Sequence, residues 1–163
     1  MTSRAGAIVH STLAHASMRQ DCSMLVGLGH VDLVCHDVER SLAFYAAVFG
    51  HLGLEAPHEV PGERGETIYY LRFPRPGSGS LGLRQALEQQ PFDLYGPGFH
   101  HLALTVESRD DVDAVHDAAV AAGAQILHEP RLWPEYHPEY YATFFEDPDG
   151  FRIEVAVSRD ARL

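Results

Sequence analysis

The chain has few cysteines, little positive charge and no long apolar run. Only two cysteines are present, Cys22 and Cys35, which cannot form a disulfide framework, so we expect a cytoplasmic protein. Lys and Arg number 12 against 23 Asp and Glu, and this formal charge of -11 argues against binding to nucleic acid or to anionic membranes. No apolar run approaches the roughly 20 residues that a membrane-spanning helix needs. Small molecules, neutral or cationic, remain as candidate ligands.

The first 23 residues differ in character from the rest of the chain. Small and polar side chains dominate residues 1–23 and no hydrophobic period is sustained there, which is typical of a disordered or loosely attached extension. A transit-like peptide and an upstream start codon ahead of a true start at Met24 are both compatible with this composition. We expect one domain over residues 24–158 and a short tail over 159–163.

An internal repeat organises this domain. Each half begins with a histidine and an apolar strand, continues as an amphipathic helix that ends near a glycine, and then reads as further strands. The modules are expected over residues 25–88 and 98–157, with helices near 39–49 and 109–122 that end at Gly50 and Gly123. Two β-α-β-β-β modules bury their sheets best by pairing. The predicted fold is therefore α+β: two tandem modules forming a curved mixed sheet, a cup, with the helices on its outer face.

Strand periodicity directs three chemically active side chains into the cup. In HVDLVC, HLALTV and GFRIEVAV, the side chains of His30, His101 and Glu154 alternate with the apolar positions. Two imidazoles and one carboxylate form the ligand set of mononuclear Fe, Mn, Zn or Ni sites that leave positions open for substrate. A buried Glu154 needs a partner, and the alternative to a metal is a plain ion pair with a neighbouring Arg or His.

These residues also carry a resemblance to a known family. The segments GHVDLVCHDVERSLAFYAAVFG, FHHLALTV and FFEDPDGFRIEV resemble the two modules of the vicinal oxygen chelate superfamily, which includes glyoxalase I, extradiol dioxygenases and bleomycin-resistance proteins. The resemblance implies one divalent metal ion (Fe, Mn, Zn or Ni) held by His30, His101 and Glu154. It also implies a homodimer whose subunits share cups.

One position departs from the glyoxalase pattern. Glyoxalase-type members usually have a fourth ligand on the last strand of the first module, and aligning SLGLRQA on GFRIEVAV puts Arg84 there, or Gln85 if the register slips by one. Arg84 stays protonated and cannot ligate a metal, so we expect it to point away from the metal or to meet a bound substrate anion.

Residues 131–141, RLWPEYHPEYY, form a loop dense in aromatic side chains. As a lid, this loop would provide Trp133 and Tyr140 as substrate contacts and His137 or Tyr141 as an acid or base. As a plain surface loop, it would pack its rings on the sheet. The DPDG that follows is predicted to be a hairpin turn rather than a calcium loop, because the full series of calcium ligands is absent.

Two functions are compatible with these features. The first is a metal-dependent enzyme, a dioxygenase or a lyase or isomerase, whose small substrate chelates the metal through two adjacent oxygens. The alternative is non-catalytic binding of a small molecule or cationic drug, as in the bleomycin-resistance proteins, and the negative charge of the chain suits it.

Overall fold

The computed structural model of the protein describes residues 27–157. The predicted extension over residues 1–23 and the tail over 159–163 therefore lie outside the described residues. Within residues 27–157, no helix has both the length and the apolar character needed to cross a membrane. Cys35 is buried with a free thiol, and this burial raises the pKa of the thiol to about 12.

The first half of the described chain forms one β-α-β-β-β module. Its elements are β1 His30–Cys35, α1 Val38–Phe49, a 3-10 turn Gly50–Leu52, β2 His58–Pro61, β3 Thr67–Arg72 and β4 Ser80–Gln85. The strand order is β1-β4-β3-β2, with β1 parallel to β4 and the other neighbours antiparallel. Helix α1 ends at its C-cap Gly50, as predicted; Gly50 is right-handed and continues into the 3-10 turn, whose left-handed C-cap is Gly53, with φ 86°.

The second half repeats this plan. Its elements are β5 Leu102–Val106, α2 Arg109–Ala121, β6 Gln125–Leu132, β7 Tyr141–Glu146 and β8 Arg152–Val157. The strand order is β5-β8-β7-β6, with β5 parallel to β8. The helix begins with a capping box between Ser108 and Asp111 and ends before Gly123, which is left-handed at φ 81° as predicted. The predicted α+β fold of two β-α-β-β-β modules is confirmed, and each module forms its own four-stranded mixed sheet.

Both helices bury their apolar faces in one shared core. The core includes Phe44 and Val48 from α1 and Val112 and Val115 from α2, together with alternate strand residues such as Val155. Each sheet therefore has an outer face that packs on the helices and an opposite face, which we call the inner face. Period-two alternation places His30, His101 and Glu154 on the inner faces, as predicted.

The DPDG hairpin of the second module is anchored in the first module. Asp147 accepts a hydrogen bond of 2.8 Å from the Tyr45 hydroxyl, and Asp149 accepts one of 2.8 Å from Ser41. Asp149 also accepts the backbone N–H of His36 at 2.9 Å, and its side chain is only 1% exposed. Burial raises the pKa of Asp147 to about 6. The predicted turn is present, and its carboxylates join the two modules.

Candidate metal centre

His101 and Glu154 meet on the inner face of the second sheet. Nε2 of His101 lies 3.2 Å from Oε2 of Glu154. Glu154 is buried at 5% exposure, whereas the His101 side chain is 35% exposed. The two side chains come from neighbouring parallel strands, because β8 places Glu154 opposite Ala103, two residues after His101. A buried carboxylate and a solvent-accessible imidazole thus direct their ligating atoms toward one another.

The remaining polar atom of each side chain is held by a neighbour. The Tyr140 hydroxyl donates to Oε1 of Glu154 at 2.5 Å, and Nδ1 of His100 lies 2.7 Å from Nδ1 of His101. Burial, reinforced by the carboxylate of Glu154, raises the pKa of Tyr140, so this hydroxyl keeps its proton at neutral pH. Such outer hydrogen bonds orient metal ligands and fix the tautomer of a ligating histidine. Strand alternation directs His100 away from His101, so the sequence pattern does not predict this contact.

Aromatic side chains form a wall beside Glu154. The Trp133 ring is buried, lies 4.9 Å from the Phe144 ring and donates its Nε1–H to the Ala142 carbonyl at 3.2 Å. Tyr140 lies edge-on to Tyr136 at 5.5 Å, and Tyr136 is 56% exposed. The loop therefore combines the two predicted behaviours: it packs Trp133 on the sheet and presents Tyr140 and Tyr136 at the site.

Two other loop residues predicted as acid or base are not in contact with this pair. The Tyr141 hydroxyl donates to Asp113 on α2 at 2.8 Å, so Tyr141 lies on the helix side of the sheet, opposite Glu154. His137 is exposed, and its Nδ1 accepts the backbone N–H of Glu139 at 3.2 Å. The structure thus brings Tyr140, and neither of these two residues, to Glu154.

His30 is the first residue of β1 and belongs to the first sheet, whereas Glu154 belongs to the second. Its ring lies 5.5 Å from that of Tyr70 on the inner face of the first module. A groove of about 550 Å³ lies between the modules and is lined by His30 and by residues of β5, including Ala103 and Thr105. Among residues 27–157, no group of three or more His, Cys, Asp or Glu side chains is close enough to hold a metal ion. One chain therefore brings together two of the three predicted ligands.

Strand pairing changes the position that corresponds to Glu154 in the first module. Glu154 pairs with Ala103, two residues after His101, whereas Gly82 pairs with Asp32, two residues after His30. Gly82 is thus the counterpart of Glu154, and the alignment that put Arg84 or Gln85 there is wrong. The reason is turn length, because residues 73–79 join β3 to β4 while the shorter segment 147–151 joins β7 to β8.

Arg84 lies on the inner face of the first sheet within a cluster of carboxylates. Its Nη2 donates to Oδ2 of Asp32 at 2.9 Å, and its Nη1 lies 3.1 Å from Glu63 and 3.3 Å from Glu66. The Arg84 side chain is 15% exposed. Carboxylates of its own chain thus contact both Nη atoms of Arg84, whereas its buried Nε has no hydrogen-bond partner among the described residues.

Comparison with known proteins identifies relatives along nearly the whole described chain. The model of the Glyoxalase/Bleomycin resistance protein/Dioxygenase superfamily matches residues 27–155. A probable lactoylglutathione lyase from Vibrio parahaemolyticus is 32% identical over 136 residues, covering 81% of this chain and 91% of the relative. A probable lactoylglutathione lyase from Synechocystis sp. is 29% identical over 127 residues, covering 77% and 91%.

Solved structures agree with this result. The glyoxylase/bleomycin resistance protein/dioxygenase domain from Frankia sp. EAN1pec superposes with a TM-score of 0.69 at 25% identity, over 83% of this chain and all of that domain. A glyoxalase/bleomycin resistance protein from Albidiferax ferrireducens superposes with a TM-score of 0.62 at 28% identity, over 80% of this chain and 98% of that one.

Proposed function

The chain belongs to the Glyoxalase/Bleomycin resistance protein/Dioxygenase superfamily, and from this premise we propose that it is a metal-dependent lyase or isomerase whose small substrate offers two adjacent oxygens. The relatives named lactoylglutathione lyase support a glyoxalase-like enzyme and favour this branch over a ring-cleaving dioxygenase. The observation that carries the proposal is the aligned His101–Glu154 pair. Non-catalytic drug binding is not favoured, because it requires no such pair.

The donor atoms of this pair fit a divalent metal. An imidazole nitrogen and a carboxylate oxygen suit Fe, Mn, Zn or Ni, and we propose that His101, Glu154 and a His30 side chain supply the protein ligands. A dication bound there would polarise the substrate oxygens and stabilise an enolate. Its charge would also compensate the burial of Glu154, whose polar partners in the described part of the chain are His101 and Tyr140.

The chain's own side chains would bind the substrate and move the proton. To accept a proton from the carbon next to the substrate oxygens, Oε2 of Glu154 would have to leave the metal, while Tyr140 keeps the other carboxylate oxygen fixed. The stacked rings of Trp133 and Tyr136 would shield one side of this position from water once substrate is bound. The small side chains of Ala103 and Thr105 leave room for the substrate on β5, where both residues are exposed.

We further propose that the site is completed by a second copy of the chain. Within residues 27–157, strands β1 and β5 each lie at an edge of their sheet and have one neighbouring strand. An unpaired edge can accept a strand from another molecule. In a homodimer that pairs these edges, His30 of one copy would reach the His101–Glu154 pair of the other, which a single chain does not achieve.

Mixing two inactive variants tests the shared site. His30→Ala and Glu154→Ala are each expected to lose metal and turnover of lactoylglutathione, the first substrate to assay. Random exchange of subunits makes half of the dimers mixed, and each mixed dimer regains one of two sites, so metal content and activity should return to about a quarter of wild type.

The outcomes separate the two parts of the proposal. The absence of any recovery on mixing, with wild-type chain that binds metal, would overturn the shared site. Failure of the wild-type chain to take up Fe, Mn, Ni or Zn would overturn the metal-dependent function itself. The cytoplasmic location is a separate prediction that follows from cysteine usage alone, and localisation of the tagged chain would test it.

A further inference from the structure

The two modules carry their inner carboxylate on different strands. At equivalent positions the second module pairs Ala103 on β5 with Glu154 on β8, whereas the first pairs Asp32 on β1 with Gly82 on β4. Each pair has one carboxylate and one small residue, with the strands exchanged. We propose that Asp32 is an additional metal ligand, the first-module counterpart of Glu154, and this inference rests on the metal-dependent function proposed above.

The carboxylate of Asp32 occupies the space over residue 82. A Cβ atom built on Gly82 would collide with Oδ1 of Asp32 and would lie 2.9 Å from the ring of Tyr70. A glycine on β4 is therefore what allows a carboxylate from the neighbouring strand to lie there. Asp32 follows His30 by two residues, so both side chains lie on the same face of β1.

One oxygen of Asp32 is buried and has no partner among the described residues. Oδ2 accepts from Arg84 at 2.9 Å, whereas Oδ1 is enclosed without a hydrogen-bond donor. Leaving a buried acceptor unsatisfied destabilises the fold, and a cation would satisfy it. The arrangement parallels Glu154, in which Tyr140 holds one carboxylate oxygen and the other faces His101.

The charges around Asp32 also favour a cation. Arg84 contacts Asp32, Glu63 and Glu66, and Arg64 contacts Glu66 at 3.2 Å. Three carboxylates thus surround two guanidinium groups, which leaves one net negative charge. The guanidinium of Arg84 orients Asp32 as Tyr140 orients Glu154, while Glu63 and Glu66 offset its positive charge. With a second copy in place, the complete ligand set would be His30, Asp32, His101 and Glu154.

Metal affinity of the full chain, measured by competition with a chelator, tests the role of Asp32. Asp32→Asn is expected to weaken Zn²⁺ and Co²⁺ binding by at least about tenfold, the scale at which even outer-sphere changes affect metal sites. Glu63→Gln is the matched control, because Glu63 also contacts Arg84 and loses the same charge, yet it is 70% exposed and is not paired with Gly82. We expect the control to bind within about twofold of wild type.

Two further measurements remove the ambiguity of a folding defect. The double variant Asp32→Ala/Gly82→Glu rebuilds the Ala103–Glu154 arrangement in the first module and is expected to bind metal more tightly than Asp32→Ala alone. With Co²⁺ as the probe, loss of a ligand in Asp32→Asn should change the visible absorption spectrum, whereas a purely electrostatic role should not.

The inference is overturned if Asp32→Asn binds metal like Glu63→Gln, if its Co²⁺ spectrum equals that of wild type, or if the double variant recovers nothing. These outcomes leave the proposed function intact as long as Glu154→Gln loses metal. Unchanged metal binding by Glu154→Gln would instead show that the proposed function has failed.

Discussion

The inner faces of the two sheets share one backbone plan and have opposite chemistry. In the second module, Glu154 lies among apolar groups, with Phe144 paired to it and Ala103 beside it. In the first module, Asp32 lies in an ionic cluster with Arg84. The Glu154 side chain is 6% exposed and that of Asp32 is 24% exposed. Burial therefore gives the Glu154 carboxylate a greater need for a cationic partner than the Asp32 carboxylate, which already has Arg84.

Equivalent positions show how this difference arises. Tyr140 precedes β7 as Glu66 precedes β3, and each contacts the charged group of its own sheet: Tyr140 donates to Glu154, and Glu66 accepts from Arg84. In the second module, the neutral hydroxyl of Tyr140 thus donates to the carboxylate of Glu154. In the first module, the carboxylate of Glu66 instead offsets the positive charge of Arg84. In the proposed metal site, we therefore expect the second module to supply the more strongly binding carboxylate and the first module to supply the more acidic surroundings.

The largest effect is expected from removing the buried carboxylate of the second module. Glu154→Gln should lower metal affinity by more than about a hundredfold and abolish turnover. Loss of a residue that only supports a ligand costs about 10–100-fold in affinity, and loss of a proposed ligand should cost more. Chelator competition and metal analysis would measure it. Glu146→Gln is the control, since Glu146 belongs to the same inner face at the far end of β7. Equal affinities for the two variants would contradict the assignment of Glu154.

The turns of the two modules offer a second contrast. Asp149 of the second module reaches Ser41 in a buried contact, whereas Arg75 of the first module reaches Glu107 at 2.6 Å with both side chains exposed. Asp149→Ala should lower the free energy of unfolding by about 3 kcal/mol, because buried polar partners lose their acceptor. Arg75→Ala should cost less than about 1 kcal/mol. Urea unfolding at one protein concentration would compare them, and equal losses would show that the buried anchor contributes little.

The stability of this anchor should also depend on pH. Burial raises the pKa of Asp147 from 3.8 to about 6 in the folded chain. The folded state therefore binds this proton more tightly than the unfolded state does. The resulting stability is complete below pH 3.8 and is lost as pH rises through about 6, a change of at most about 3 kcal/mol.

Asp147→Asn would isolate this contribution. The amide does not titrate, so the difference in unfolding free energy between wild type and variant should change between pH 4 and 6, in favour of the variant as pH rises. Urea unfolding of both proteins across this range would measure it. A difference that stays constant with pH would contradict the raised pKa of Asp147.

The smallest expected effect is a difference in metal affinity between substitutions of two adjacent tyrosines, Tyr140 and Tyr141. Tyr140→Phe should weaken metal binding by about tenfold, because Glu154 loses the hydroxyl that orients it. Tyr141→Phe removes a hydroxyl that contacts Asp113 on the opposite face, so it should leave metal affinity unchanged. Chelator competition on both variants is the measurement. A larger loss in Tyr141→Phe would reverse our assignment of the two faces.

The sequence predicts the fold class and one half of the site because both depend on local periodicity. The helices were predicted within one residue at each end, and two-residue alternation directed His101 and Glu154 to one face. The same alternation also places Tyr141 on the face opposite to the site. Tyr141 is adjacent to Ala142, which pairs with Ala156 on the inner face, so the Tyr141 side chain lies on the other face. Two-residue alternation along β7 is therefore enough to exclude Tyr141 from the inner face.

The remaining features depend on distances along the chain that local patterns do not encode. The register of β4 is set by the length of the turn before it, so a letter-by-letter alignment could not identify Gly82 as the counterpart of Glu154. Whether His30 meets His101 depends on how the two modules pack against each other. His100 was missed because its backbone position says nothing about the direction of its ring.

The close approach of Asp32 to Gly82 has a consequence for how such sequences evolve. A side chain cannot be gained at residue 82 while Asp32 fills the space above it. To move the carboxylate from β1 to β4, a lineage must first lose Asp32 and only then gain an acidic residue at position 82. If Asp32 holds the metal, the intermediate sequence without either carboxylate would bind metal poorly. If Asp32 holds the metal, selection for metal binding would therefore keep the pairing of Asp32 with Gly82 in place once it had formed.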